Sequence, residues 1–175
     1  MKKGLVGFLL GAFVLSMPIQ ASANGLSNID TSESDGIPFE IREYAELCGS
    51  EYNICPELLE AIAYSESRYT ADATNGSCYG LMQVNLTAHK DRIKKYGWTE
   101  EDMSDPYKNM MIASDYLAEL FNEYEDVGKV LIVYNGNTSA LPAYEKYGKL
   151  SSYANKILKK AWELEELHNK HELTK

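Results

Sequence analysis

Positive charge is scarce in this sequence. Lys and Arg number 17 against 26 Asp and Glu, giving a formal net charge of −9 over 175 residues. Nucleic-acid binding depends on clustered Lys and Arg, so this balance excludes a nucleic-acid partner. It argues equally against an anionic membrane surface. Long apolar runs are missing as well: the stretch from Gly4 to Met17 falls short of the about 20 residues a membrane-spanning helix needs. Cysteine is sparse and odd in number, at Cys48, Cys55 and Cys78, and no second cluster completes a metal-ligand set. There is no Gly-rich phosphate loop, no nucleophile elbow, no internal repeat and no convincing strand-like alternation. No cofactor and no metal is implied. The chain is long enough for one domain with a real core and not comfortably for two.

Lys2 and Lys3 begin the chain with positive charge, the apolar run follows, and Ala21-Ser22-Ala23 makes a small-residue cleavage pattern. Residues 1–23 therefore read as an export signal. No cysteine follows the run, so no lipid anchor is expected. A chain starting at Asn24 would have lost two lysines and carry a formal charge of −11. Such an acidic protein can still take a neutral or mixed-charge polymer such as a glycan, whose sugar faces suit some of the 13 tyrosines. Disulfides persist in exported chains. Three thiols allow three single pairings, and all three could equally be reduced and packed. The favoured pair is Cys48 with Cys55. Cys48 precedes Gly49, read as a helix end, and Cys55 precedes Pro56, read as a helix start.

Residues 24–37 are polar and read as a flexible lead-in; the folded domain is expected over 38–175. A first helix spans roughly Phe39 to Cys48 and a second Pro56 to Tyr69. Thr70 to Gly80 reads as loop, and Thr87 can cap a basic helix towards Gly97. Asp105-Pro106 opens a helix whose apolar residues Met110, Ala113, Leu117 and Leu120 recur at helical spacing. Val127, Val130, Leu131 and Tyr134 form the next stripe, and Asn135 to Pro142 carries turn chemistry. Ser151 caps a last long helix with Tyr153, Ile157 and Leu164 on one face. On its charged end, His168 and His171 could touch one ion or simply be solvated. The fold class is mainly α.

Glu66 stands out. It follows Leu59, Ile62 and Ala63 by seven, four and three residues, so a carboxylate closes an apolar stripe. Poor hydration there raises its pKa, and the helix C-terminus disfavours its charge. Both effects favour the protonated acid that general-acid chemistry uses near neutral pH. By position alone, Glu66 could also lean out of the stripe into solvent. Tyr134 likewise ends an apolar stripe and, by itself, could be a core tyrosine with a satisfied hydroxyl.

Glu66-Ser67 is followed by Gly80-Leu81-Met82-Gln83, Asp105-Pro106 with Asn109, Tyr134-Asn135-Gly136 and the late Tyr153. In this order, over roughly Tyr52 to Leu158, the motifs resemble the soluble lytic transglycosylase domain. That resemblance implies a lysozyme-like single helical domain with an active-site cleft and peptidoglycan glycan strands as substrate. It implies Glu66 as the catalytic acid and base, with Ser67, Gln83, Tyr134, Asn135 and Tyr153 around the substrate. Tyr134 would sit beside Glu66 and Tyr153 would complete the pocket wall. Two departures bear on the loops: Gly136 is followed by Asn137, and Cys78-Tyr79 stands before Gly80. Asp72, Asp91 and Asp105 have no clear claim as a second carboxylate, which suits a single-carboxylate mechanism that closes a 1,6-anhydro ring. The same resemblance leaves a hydrolytic muramidase or a non-catalytic glycan-binding module as rivals. It implies action outside the membrane, at the cell wall or in a periplasm. Because 38–175 leaves no room for a separate wall-binding domain, local action is expected, as in opening the wall for a secretion or conjugation apparatus.

Overall fold

A computed structural model describes residues 36–173, with side chains as far as Asn169. The expected export signal (1–23) and most of the lead-in (24–37) lie outside the described residues. Seven α-helices occur among them: α1 (Phe39–Tyr52), α2 (Pro56–Ser67), α3 (Lys90–Lys95), α4 (Pro106–Tyr124), α5 (Val127–Tyr134), α6 (Leu141–Tyr147) and α7 (Ser152–Leu173). A small antiparallel sheet, β1 (Thr74–Asn75), β2 (Cys78–Tyr79) and β3 (Val84–Asn85), lies between α2 and α3. Its register pairs Thr74 with Tyr79 and Cys78 with Asn85. None of the described helices is long and apolar enough to cross a membrane.

The helix starts follow the sequence chemistry. Pro56 and Pro106 each occupy the first turn, where a missing N–H costs nothing. Asp105 accepts the Lys108 N–H and Asp126 the Lys129 N–H, each capping its helix. Ser151 does the same for α7 through the Ala154 N–H. α2 is the centre of the fold. Leu59, Ile62 and Ala63 are fully buried, and the helix packs against α1 on one side and α7 on the other. α4 closes the core with Met110, Ile112 and Leu117, and α5 adds Val130, Leu131 and Ile132. A left-handed residue, Glu125, separates α4 from α5.

Several expectations need correction. Gly49 does not end α1; the helix continues to Tyr52 and turns at left-handed Asn53. Gly49 is required for another reason: a Cβ there would stand 2.6 Å from the Ile54 carbonyl oxygen and 3.2 Å from Pro56 Cγ. This extra turn also explains why the expected Cys48–Cys55 disulfide is not formed. Cys48 points into the core, where burial pushes its thiol up to about 12, while Cys55 is exposed and donates to Glu57 Oε2 at 2.9 Å. All three cysteines are free thiols. Thr87 makes no cap, since α3 begins after His89 without a side-chain partner. Pro142 belongs to the first turn of α6 rather than to a loop. His168 is not simply solvated: its Nδ1 lies 2.8 Å from Glu57 Oε1, fastening α7 to the start of α2, while the side chain of His171 lies outside the described residues.

Candidate active site

Glu66 lies in the last turn of α2, on the wall of a cavity of 620 Å³. The wall is drawn from α2 (Glu66, Ser67), the sheet (Thr74, Asn75, Cys78, Val84), α4 (Ala113, Tyr116) and the end of α5 (Tyr134, Asn135). Glu66 is the one carboxylate among the described lining residues. Burial raises its pKa, and two weaker influences, the Tyr153 hydroxyl and the charge of Lys156, pull it back down. The Tyr153 phenol, 87 residues away on α7, donates to Glu66 Oε1 at 2.5 Å. One carboxyl oxygen is thus held while the group as a whole is biased towards its protonated form.

Both tyrosines stand near Glu66, with different hydrogen-bond partners. Tyr153, assigned to the pocket wall, makes the direct bond to Glu66. Tyr134, expected beside the carboxyl, donates its hydroxyl to the Met82 carbonyl oxygen at 3.0 Å. It is still close enough that Glu66, after burial, helps push its phenol well above the usual range. Ser67 and Gln83 line the cavity, but the Ser67 hydroxyl and the Gln83 amide nitrogen hold backbone. Ser67 Oγ donates to the Leu81 carbonyl at 2.7 Å, and Gln83 Nε2 donates to the carbonyls of Ala73 and Gly80 at 3.0 and 2.9 Å. Asn135 caps α5 and faces the cavity.

Together these bonds make the Gly80–Gln83 segment a hub gripped from three helices. Asn109 on α4 supplies the grip that sequence reasoning noted only as part of a motif. Fully buried, it accepts the Met82 N–H at 2.8 Å and donates to the carbonyls of Tyr79 and Met103 at 2.9 and 3.0 Å. The signal was available: Asn109 is four residues before Ala113, on the buried face of α4. His89 and Tyr116 were missed as lining residues. Their rings stand 4.6 Å apart, and Tyr116 leads on to Tyr134 at 5.9 Å, forming an aromatic wall. Burial and, secondarily, the Arg92 charge lower the His89 pKa and favour the neutral ring. No group of three or more His, Cys, Asp or Glu among the described residues is placed to hold a metal.

The transglycosylase SLT domain family matches residues 43–157, which takes in every element of this cavity. The chain belongs to that family. Curated relatives include an X polypeptide of Escherichia coli, 34% identical over 51% of this chain and 56% of its own length. Protein IpgF of Shigella flexneri is 34% identical over 52% of this chain and 63% of its own length. The chain thus spans little more than half the length of the curated relatives it matches. Among solved structures, the lytic transglycosylase Slt of Pseudomonas aeruginosa, in an inactive mutant form, superposes with a TM-score of 0.61. It is 18% identical, with 71% of this chain and 24% of that one covered, and the likeness is one of fold. The SLT domain here is accordingly mainly helical and lysozyme-like.

Within this SLT domain the Glu66–Tyr153 bond makes a direct prediction. A phenol donating to a carboxylate favours the ionised form, so Tyr153→Phe removes a lowering influence and the Glu66 pKa rises further. Carboxyl carbon NMR titration of the two proteins reads this; an unchanged or lower Glu66 pKa in the variant would contradict the assignment.

Proposed function

We propose that this SLT domain is a peptidoglycan lytic transglycosylase, cleaving the β-1,4 bond between N-acetylmuramic acid and N-acetylglucosamine. The observation that carries the reading is the single, largely buried carboxyl of Glu66, with raised pKa and one oxygen fixed by Tyr153, on a cavity wall without a second carboxylate among its described residues. Glycosidases usually employ two carboxylates, one serving water or acting as nucleophile. One carboxyl suffices when the nucleophile belongs to the substrate.

Glu66 first gives its proton to the bridging oxygen as the C1–O bond breaks and positive charge develops on the ring. Now ionised, and accepting the Tyr153 hydrogen bond, the same group takes the proton from the C6 hydroxyl of that sugar. O6 then attacks C1 and closes a 1,6-anhydro ring. Glu66 regains its proton, no water is consumed, and the intramolecular attack gains from proximity. Ser67, Gln83, Tyr134 and Asn135 would shape the cavity against the sugars, chiefly by fixing its backbone. No cofactor is part of the scheme.

Digestion of purified peptidoglycan followed by mass spectrometry tests the reading. Anhydro ends are expected; reducing ends alone would replace it with a hydrolytic muramidase, and no cleavage with a glycan-binding module. The same proposal includes export with cleavage after Ala23 and action beside a secretion or conjugation apparatus. An intact N-terminus on the secreted protein, or broad lysis of whole cells by free enzyme, would overturn those parts.

A further inference from the structure

Beside the cavity, α2 and α7 border a second, open cleft of 200 Å³, whose polar lining is Tyr64, Ser65, Lys156, Lys159, Lys160 and Glu163. Its charge runs against that of the chain. Three lysines face one carboxylate in a protein of formal net charge −9. That carboxylate, Glu163, lies 3.8 Å from Lys159 in an exposed pair, which water screens and a ligand can replace. The cations are also arranged. The Tyr64 ring carries the Lys160 ammonium 5.6 Å from its centroid and the Arg68 guanidinium 5.2 Å from it. Arg68 additionally donates to the Tyr64 hydroxyl at 2.9 Å. Ser65 lines both this cleft and the Glu66 cavity, and Lys156 donates to its hydroxyl at 3.2 Å.

We propose that this cleft receives a carboxylate of the stem peptide borne by the sugar being cleaved, an inference that rests on the function proposed above. In peptidoglycan the peptide hangs from the lactyl group on C3 of the same ring whose C1 bond breaks. Glu66 and Ser65 are neighbours in the chain and both line the cavity, and Ser65 also lines the cleft, so the peptide of a ring cleaved at Glu66 begins beside the border between the two. The short acidic peptide then meets the lysines as it leaves the cavity. A cationic cleft on a chain of net negative charge favours an acidic peptide there over other parts of the surface. Bare glycan has nothing to place there.

Binding separates this inference from the catalytic reading, since it needs no turnover. Glu66→Gln protein is titrated calorimetrically with three oligosaccharides: peptide-bearing, peptide-bearing with amidated carboxylates, and stripped of peptide. Two exposed charge pairs are expected to make the acidic ligand bind about fivefold more tightly than the other two. The preference should fade in added salt. Adding Lys159→Gln with Lys160→Gln should abolish it, whereas Lys159→Arg with Lys160→Arg should retain it. Equal affinity for acidic and amidated ligands, or a preference that survives the glutamines, would overturn the proposal. Hydrolytic products in the earlier digestion would leave this binding result intact.

Discussion

Glu66→Gln is expected to reduce peptidoglycan cleavage by about 10³-fold or more, because one group supplies both proton transfers of the proposed cycle. Gln is nearly isosteric, and its side-chain oxygen still accepts the Tyr153 hydroxyl, so glycan binding should persist. The variant also carries a stability signature. Burial raises the Glu66 pKa in the folded protein above its unfolded value. A carboxyl raised in this way favours folding below its unfolded pKa, about 4.3, and that contribution is lost as pH rises through the folded pKa. Above that window the wild type holds a poorly solvated charge that the neutral amide does not. Glu66→Gln should therefore melt higher than wild type at neutral pH, with the advantage shrinking towards pH 4. Parallel thermal melts at the two pH values check the sign; a difference that does not change with pH would mean that Glu66 is solvated after all, and one that favours wild type more at neutral pH would mean that its charge is stabilised rather than penalised. Unimpaired cleavage would remove Glu66 from the mechanism.

The sequence announced the parts of this fold whose signals are long or chemically sharp. Asp105-Pro106, the α4 stripe and Ser151 before α7 each combine a cap with sustained helical period, and all three stand where they were read. Glu66 was legible because a carboxylate at the end of an apolar stripe is unusual. Three features were not legible, for physical reasons. Two-residue strands are too short to show a period of two, so the sheet hid inside a Gly- and Asn-rich stretch. α6 has seven residues, none of them fully buried, too few to sustain a helical period even though Leu141 and Tyr144 pack against the core. The choice between Tyr134 and Tyr153 as the partner of Glu66 depends on how α7 docks across α2. Nothing local to either tyrosine encodes that. Cys48 shows the same limit: one further turn of α1 directs it inward, away from Cys55. The resemblance implies Ser67 and Gln83 around the substrate, and both border the cavity; their bonds to the Leu81, Ala73 and Gly80 carbonyls were not legible, because they depend on how tightly this loop packs and satisfies its own backbone groups.

Asn109→Ala should be among the most damaging single substitutions in the chain, and for a reason unconnected with chemistry at Glu66. Its amide satisfies a buried N–H at Met82, a buried carbonyl at Met103 and a partly buried one at Tyr79. Each orphaned group costs about 1–3 kcal/mol, and with partial relaxation the total loss is about 3–5 kcal/mol in chemical denaturation. Asn109→Asp should be no milder, because it keeps the acceptor, loses both donors and brings a charge into a fully buried position. Gly80 provides the complementary test. Its φ of +82° is left-handed, and a Cβ there would lie 2.2 Å from Asn109 Nδ2 and 2.6 Å from the Met103 carbonyl oxygen. Gly80→Ala alone must therefore break the Asn109 grip or shift the loop. In an Asn109→Ala background one of those two obstacles is gone, while the Met103 oxygen and the left-handed φ remain. The two substitutions should then cost less together than the sum of their separate costs. Strict additivity would mean that Asn109 does not hold this loop. If it does hold it, both single variants should also weaken glycan binding by Glu66→Gln protein at temperatures where they remain folded, because this segment places Gln83 in the cavity wall.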